Sequence, residues 1–169
     1  MTAHSGLLNV LRTPCSVSPA WDPRGGAPKP PTADFEAIWD TGATNSAISQ
    51  AVVDRCGLAA TGMAQVHGVH GTGLSETYLV NIVLPNGVTC IGVRVTKGKI
   101  PTADMLIGMD IISQGDFSVT NCNGHSQFSY RTPSVEHIDY VAQAKAIVKA
   151  QQAPRQSRAE RRRAKMGRT

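Results

Sequence analysis

The stretch Ala37-Ile38-Trp39-Asp40-Thr41-Gly42-Ala43-Thr44-Asn45-Ser46 decides how this chain is read. An apolar run ends in a carboxylate, a hydroxyl and a glycine, the pattern of a strand running into a tight loop. Peptide hydrolysis without a metal or a covalent intermediate needs two carboxylates. One makes a water nucleophilic, and the other holds a proton on the carbonyl. Like charges at hydrogen-bond range cannot both ionise, so the pair shares one proton and titrates as a unit, which shifts activity toward acid. Asp40 supplies one such carboxylate. Thr41 and Ser46 or Thr44 can donate hydroxyl bonds to the loop. Gly42 lets a partner loop approach and leaves its own N–H available.

Two further stretches follow in order. His67-Gly68-Val69-His70-Gly71-Thr72-Gly73 is a glycine-rich loop, and Met105-Leu106-Ile107-Gly108-Met109-Asp110-Ile111-Ile112 is a buried strand candidate ending in glycine and leading into a short helix. Together with Ile38-Trp39-Asp40-Thr41-Gly42-Ala43, they resemble the aspartic peptidases in their retroviral, retropepsin-like form. The signature there is two hydrophobic residues, Asp-Thr-Gly and commonly alanine. The resemblance covers residues 33 to 130 and implies an all-β single lobe, closed or sandwiched and barrel-like, with short helices. It also implies an aspartic-type endopeptidase in which Asp40 is catalytic and Thr41, Gly42, Ala43 and Ser46 support its loop. Gly71, Thr72 and Gly73 would then form the flap tip over a peptide or protein substrate, and Leu106, Ile107 and Gly108 would buttress the catalytic loop. No metal and no cofactor is implied.

The family's two-lobed members carry two Asp-Thr-Gly loops, whereas this chain carries one. Asp104 and Asp110 are not followed by Thr-Gly or Ser-Gly, and no internal repeat supplies a second lobe. A homodimer with Asp40 facing its own copy is therefore expected. Two departures from the retroviral pattern stand out. Thr44-Asn45 occupies a place where an acidic residue is common, and the chain continues past the short helix. A hairpin from Phe117 to Tyr130 and a helix beyond it are candidates for the dimer contact. A noncatalytic dimeric adaptor of the same fold, binding peptides in the cleft and nucleic acid by a basic tail, is the alternative function.

Composition agrees with a β-rich globular body: 41% hydrophobic and 17% charged residues among 169, with sixteen glycines and ten prolines. Six prolines fall in residues 1–32, so this segment is expected to be a flexible arm that pairs poorly in a sheet. The core domain is expected over 33–131. Within it, Ala47 to Arg55 suits a strand or one or two helical turns, and Thr77 to Leu84 and Val88 to Thr96 form a hairpin on Pro85-Asn86-Gly87. A helix region follows at 132–152, with the amphipathic helix itself at 135–151 and Pro133 at its start.

The net charge of +5 belongs to the tail, 153–169, where seven basic residues face Glu160 alone. On a helix Arg158, Arg161, Arg162, Lys165 and Arg168 share one face, which suits a nucleic-acid backbone or an acidic membrane surface; no aromatic residue interleaves them. Cys15, Cys56, Cys90 and Cys122 form no Cys-x-x-Cys pair and read as free thiols in a reducing, cytoplasmic setting. The run Leu7-Leu8-Asn9-Val10-Leu11 is too short for a signal-peptide core and lacks a preceding basic residue, and no segment is long enough to span a membrane. His67 and His70 have a metal-like spacing, but no Cys, Asp or Glu nearby completes a set, so they read as loop histidines.

Overall fold

Along Ala33–Trp39 the residues Phe35, Ala37 and Trp39 are buried while Asp34 and Glu36 are exposed, the alternation of a strand with one face on a core. The computed structural model describes residues 2–3, 6–68 and 71–152, and the chain divides into two units, Met1–Val135 and Glu136–Thr169. The first unit holds β1 (Thr2–Ala3), β2 (Arg12–Pro19), β3 (Ala33–Trp39), β4 (Ala47–Ile48), α1 (Gln50–Cys56), β5 (Gly62–Gly68) and β6 (Gly71–Val83). It continues with β7 (Thr89–Lys97), β8 (Met105–Ile107), α2 (Met109–Ile112), β9 (Asp116–Cys122) and β10 (His125–Arg131). The second holds α3 (Tyr140–Gln152).

The larger sheet has the order β2-β3-β8-β4-β7-β6-β5, and β2 also pairs with β6. Six strands thus close into a ring with β5 outside it, the barrel-like lobe that the sequence implies. Ile48, Val80, Ile82, Val95, Met105 and Ile107 fill its interior with no solvent exposure. Each such side chain contributes about 1.5–3 kcal/mol of burial free energy. The smaller sheet has the order β1-β10-β9.

Both hairpins follow their turn residues. Gly87 takes a left-handed φ of 82° between β6 and β7. Between β9 and β10 both Asn123 (φ 53°) and Gly124 (φ 76°) are left-handed, the two-residue turn that matches strand twist. The strands therefore run closer to the turn than the Asn121–Gly124 segment suggests. Ala47 to Arg55 is divided: a two-residue strand, β4, then α1, closed by Gly57 at φ 58°.

The structure corrects the expectation for residues 1–32. Two of their prolines lie inside β2, which pairs antiparallel with β3 and β6. Trp39 donates its N–H to the Leu11 carbonyl at 3.0 Å, so by antiparallel alternation Pro14, opposite Glu36, is a non-hydrogen-bonded position facing β3. Ala20 donates to Leu79 at 3.0 Å, which puts Pro19, opposite Val80, at the equivalent position facing β6. Neither missing donor is needed by the strand it faces, so proline is tolerated.

The second correction concerns the helix, which starts at Tyr140 and not at 135. Asp139 sets the start: its Oδ1 accepts the Ala142 N–H at 2.9 Å and its carbonyl accepts Gln143 N–H at 3.1 Å, the geometry of an N-cap. None of the side chains of α3 is buried.

Candidate active site

Strand β3 delivers Asp40, whose N–H donates to the Ile107 carbonyl at 2.9 Å. The chain then turns: Gly42 N–H donates to Asp40 Oδ1 at 2.8 Å and Ala43 N–H to the Asp40 carbonyl at 3.2 Å. Strand β8 runs between the two ends of this loop, parallel to β3 (Ile38 opposite Leu106, Trp39 opposite Ile107) and antiparallel to β4 (Ala47 opposite Leu106). Leu106-Ile107-Gly108 thus sit directly beside the loop.

The loop's exit is held by a residue that sequence reasoning passed over. Asp110 accepts the Ser46 N–H on Oδ2 at 3.0 Å and the Ser46 hydroxyl on Oδ1 at 2.7 Å. Ser46 has no solvent exposure, and its Oγ also accepts the Gly108 N–H at 3.0 Å. In return the first N–H groups of α2 are satisfied by loop carbonyls: Met109 donates to Ala43 at 2.8 Å and Asp110 to Thr44 at 3.1 Å. The available signal was a carboxylate two residues after Gly108, at the start of a short helix. Sequence reading weighed Asp110 only as a second catalytic aspartate and dismissed it on that ground.

Gly108 is required by this closeness. A Cβ there would lie 2.7 Å from the Asn45 carbonyl carbon and 2.9 Å from the Ala43 oxygen. Thr44 meets α2 through its main-chain carbonyl, and it is the Asn45 main chain that crowds Gly108. Those contacts are indifferent to the side chain, so the departure from an acidic residue at Thr44-Asn45 leaves them intact.

Beneath the loop, Trp39 is buried against the smaller sheet. Its ring lies 4.9 Å from Phe128, 5.0 Å from Tyr130 and 5.9 Å from Phe117 by centroids, and its Nε1–H donates to Thr13 Oγ1 at 2.9 Å. Tyr130 in turn donates its hydroxyl to the Ile111 carbonyl of α2 at 2.8 Å. The β9–β10 hairpin therefore grips both sides of the Asp40 loop segment, the residue before Asp40 and the helix after Gly108.

At the surface, Asp40 is half-buried, and Thr41 and Gly42 are exposed. Asp40 Oδ2 and the Thr41 hydroxyl have no hydrogen-bond partner among the described residues. Gly71, Thr72 and Gly73 start β6 at the end of the β5–β6 arm, all exposed, with Gly68 opposite Gly71 and His67 opposite Thr72. His67 Nδ1 bonds Thr72 Oγ1 at 2.8 Å, so this ring is engaged within the arm. Val69 and His70 lie outside the described residues, as do Arg158, Arg161, Arg162, Lys165 and Arg168.

The buried thiols are poor nucleophiles. Burial, reinforced by Asp104 and Asp34, pushes the Cys15 thiol up to about 12, and burial followed by Asp110 raises Cys90. All four cysteines are free.

A barrel-like lobe carrying one exposed Asp-Thr-Gly loop beside a strand–Gly–helix segment defines a class of fold and site. Residues 32–114, which hold β3 through α2, match the family model described as gag-polyprotein putative aspartyl protease, and over this segment the chain is similar to the retropepsin-like aspartic peptidases. Among solved structures, the protease of Simian Foamy Virus (mac) is similar, at 13% identity and TM-score 0.40, over 61% of this chain and 92% of that one. No curated protein matches the chain.

Proposed function

We propose that the protein is an aspartic endopeptidase that works as a homodimer, with Asp40 of each copy forming the catalytic pair. The observation that carries the reading is the state of Asp40 itself. One carboxylate oxygen is fixed by Gly42 N–H and the other is unpartnered among the described residues, on a loop clamped from behind and open in front. A single carboxylate cannot act as base toward water and hold a proton on the carbonyl at once; a copy related by a two-fold axis supplies the second function.

In this mechanism the two carboxylates share one proton. The ionised one takes a proton from the attacking water while the other gives its proton to the peptide carbonyl oxygen, forming a tetrahedral diol. Proton return to the amine then breaks the C–N bond. Thr41 donates its free hydroxyl toward the partner loop. Gly42, Ala43 and Ser46 hold the loop, with Leu106, Ile107 and Gly108 behind it. Gly71, Thr72 and Gly73 close over an extended peptide and exclude water. Four free thiols fit a reducing cytoplasmic setting, and the basic residues Arg158, Arg161, Arg162, Lys165 and Arg168 are the proposed contact with nucleic acid.

The test is incubation of wild-type protein and Asp40→Asn with an unstructured protein from about pH 4 to 7. Fragments from wild type and none from the variant support the peptidase. Equal outcomes overturn it: both inert leaves a noncatalytic binding module, and both active puts the chemistry elsewhere.

A further inference from the structure

We propose that Pro28-Lys29-Pro30-Pro31 is a docking ridge for a partner protein whose groove is lined by aromatic rings and carries an acidic group beside them. The ridge lies at the far end of β3 from Asp40 and does not depend on the reaction proposed there.

The conformation of this segment follows from covalent geometry. The proline ring fixes φ at about −65° in Pro28, Pro30 and Pro31. Ala27, Lys29 and Pro30 each precede a proline, which holds them out of the helical region. The bonds before these prolines are trans. Residues so restricted wind as a polyproline II helix, with three residues per turn and a rise of about 3.1 Å each. Pro28 and Pro31 therefore stand on one edge, about 9 Å apart, with Lys29 and Thr32 on the next edge.

Burial shows which edge faces out. Pro28, Lys29, Pro31 and Thr32 are exposed, whereas Pro30 is half-buried, so the edge carrying Pro30 turns toward the protein and the edge of Pro28 and Pro31 toward solvent. The segment belongs to no strand, and the main-chain carbonyls of residues 28–31 accept no hydrogen bond among the described residues. Lys29 has no ion pair among them either.

The ridge is fastened at both ends. Ala20 N–H donates to the Leu79 carbonyl at 3.0 Å, Asn81 Nδ2 to the Trp21 carbonyl at 2.7 Å, and Trp21 Nε1–H to the Ala27 carbonyl at 2.7 Å. Gly26, left-handed at φ 71°, completes the turn between Trp21 and Ala27. Beyond the ridge, Ala33 pairs with Val17. A segment held in this way has given up its freedom on folding, which lowers the entropy that binding must overcome.

An aromatic groove is the occupant because the ridge offers two stiff apolar rings and a row of acceptors. Planar side chains stack on the prolines, and their ring N–H or hydroxyl groups reach the carbonyls. Lys29 is the one unpaired cation here, since Arg24 is held by Asp22 at 3.2 Å, which is too little charge to hold a nucleic acid or an anionic membrane. From Ala33 to Asp40 the strand runs about 23 Å, so a partner on the ridge leaves the Asp40 loop uncovered.

The test is titration of the full-length protein into a panel of isolated SH3 and WW domains, whose grooves are of this kind, followed by chemical-shift changes in the labelled domain. At least one domain should bind with a Kd of about 1–100 µM. The double change Pro28→Ala and Pro31→Ala should weaken that binding at least about 10-fold and Lys29→Glu several-fold, while Pro23→Ala, in the preceding turn, leaves it unchanged. Absence of binding by every domain at about 1 mM overturns the ridge, as does binding that the double change and Lys29→Glu both leave intact. If the double variant fails to fold, Lys29→Glu decides, because that side chain is exposed and holds nothing in place.

Discussion

At Gly108 an added Cβ would press on the main chain of Ala43 and Asn45, whereas at Gly71 and Gly73 it would meet nothing within 4 Å. Glycine stands both behind the Asp40 loop, at Gly108 between β8 and α2, and at the tip of the β5–β6 arm, and it serves opposite ends in the two places. Behind the loop it removes a side chain so that β8 and α2 can close on the segment. At the tip it leaves the chain open on both faces. In the proposed peptidase, a carboxylate that meets its twin at hydrogen-bond distance would need the first arrangement, and a segment that admits and releases a peptide would need the second.

Gly108→Ala should break the loop side of this contrast most severely. The crowding involves backbone, so the loop or β8 must shift. The expected loss is about 3 kcal/mol by denaturant unfolding, together with loss of cleavage. Asp110→Ala should come next, at about 2 kcal/mol, because it strands the N–H and hydroxyl of a fully buried Ser46. Asp110→Asn, which keeps one acceptor, should recover part of both stability and kcat.

Gly73→Ala probes the other region: stability should change by less than about 0.5 kcal/mol while kcat falls several-fold, the reverse weighting of the Gly108 result. The smallest effect is at the arm's root, where Glu76 pairs with Lys97 and accepts the Tyr78 hydroxyl at 3.0 Å. The Lys97 hydrogen bond first, then Tyr78 and the Lys97 charge, lower the Glu76 carboxyl below its ordinary 4.5. Its folded pKa is depressed, so its contribution is complete above 4.5 and is lost as pH falls through the lowered value. Glu76→Gln should flatten the decline of Tm in that acid range and leave the neutral-pH activity unchanged.

Local chemistry was legible where it acts alone. Asn86-Gly87 and Asn123-Gly124 announced both hairpins through the left-handed backbone that glycine and asparagine tolerate, and Asp40, Gly108 and the apolar strand before Gly108 were visible as a spaced pattern. What escaped depends on which groups meet across the fold. Pro14 and Pro19 read as sheet breakers because composition does not reveal which side of a strand lacks a partner, and here the alternation turned both nitrogens away from the strands they face. Asp110 read as a failed catalytic motif because its partner, Ser46, lies far off in sequence and reaches it only when β8 slots between β3 and β4. The start of α3 was misplaced because Pro133 offered a plausible opening, while the Asp139 cap that governs it is a single side-chain bond.

The central claim is that Asp40 is half of a site, and mixing measures it directly. Wild type and Asp40→Asn, combined at fixed total chain concentration and allowed to exchange, should lose activity as the square of the wild-type fraction, falling to about a quarter at equal amounts, since only pairs with two aspartates cleave. A linear fall, to about half at equal amounts, would mean that each chain works alone and would contradict the account.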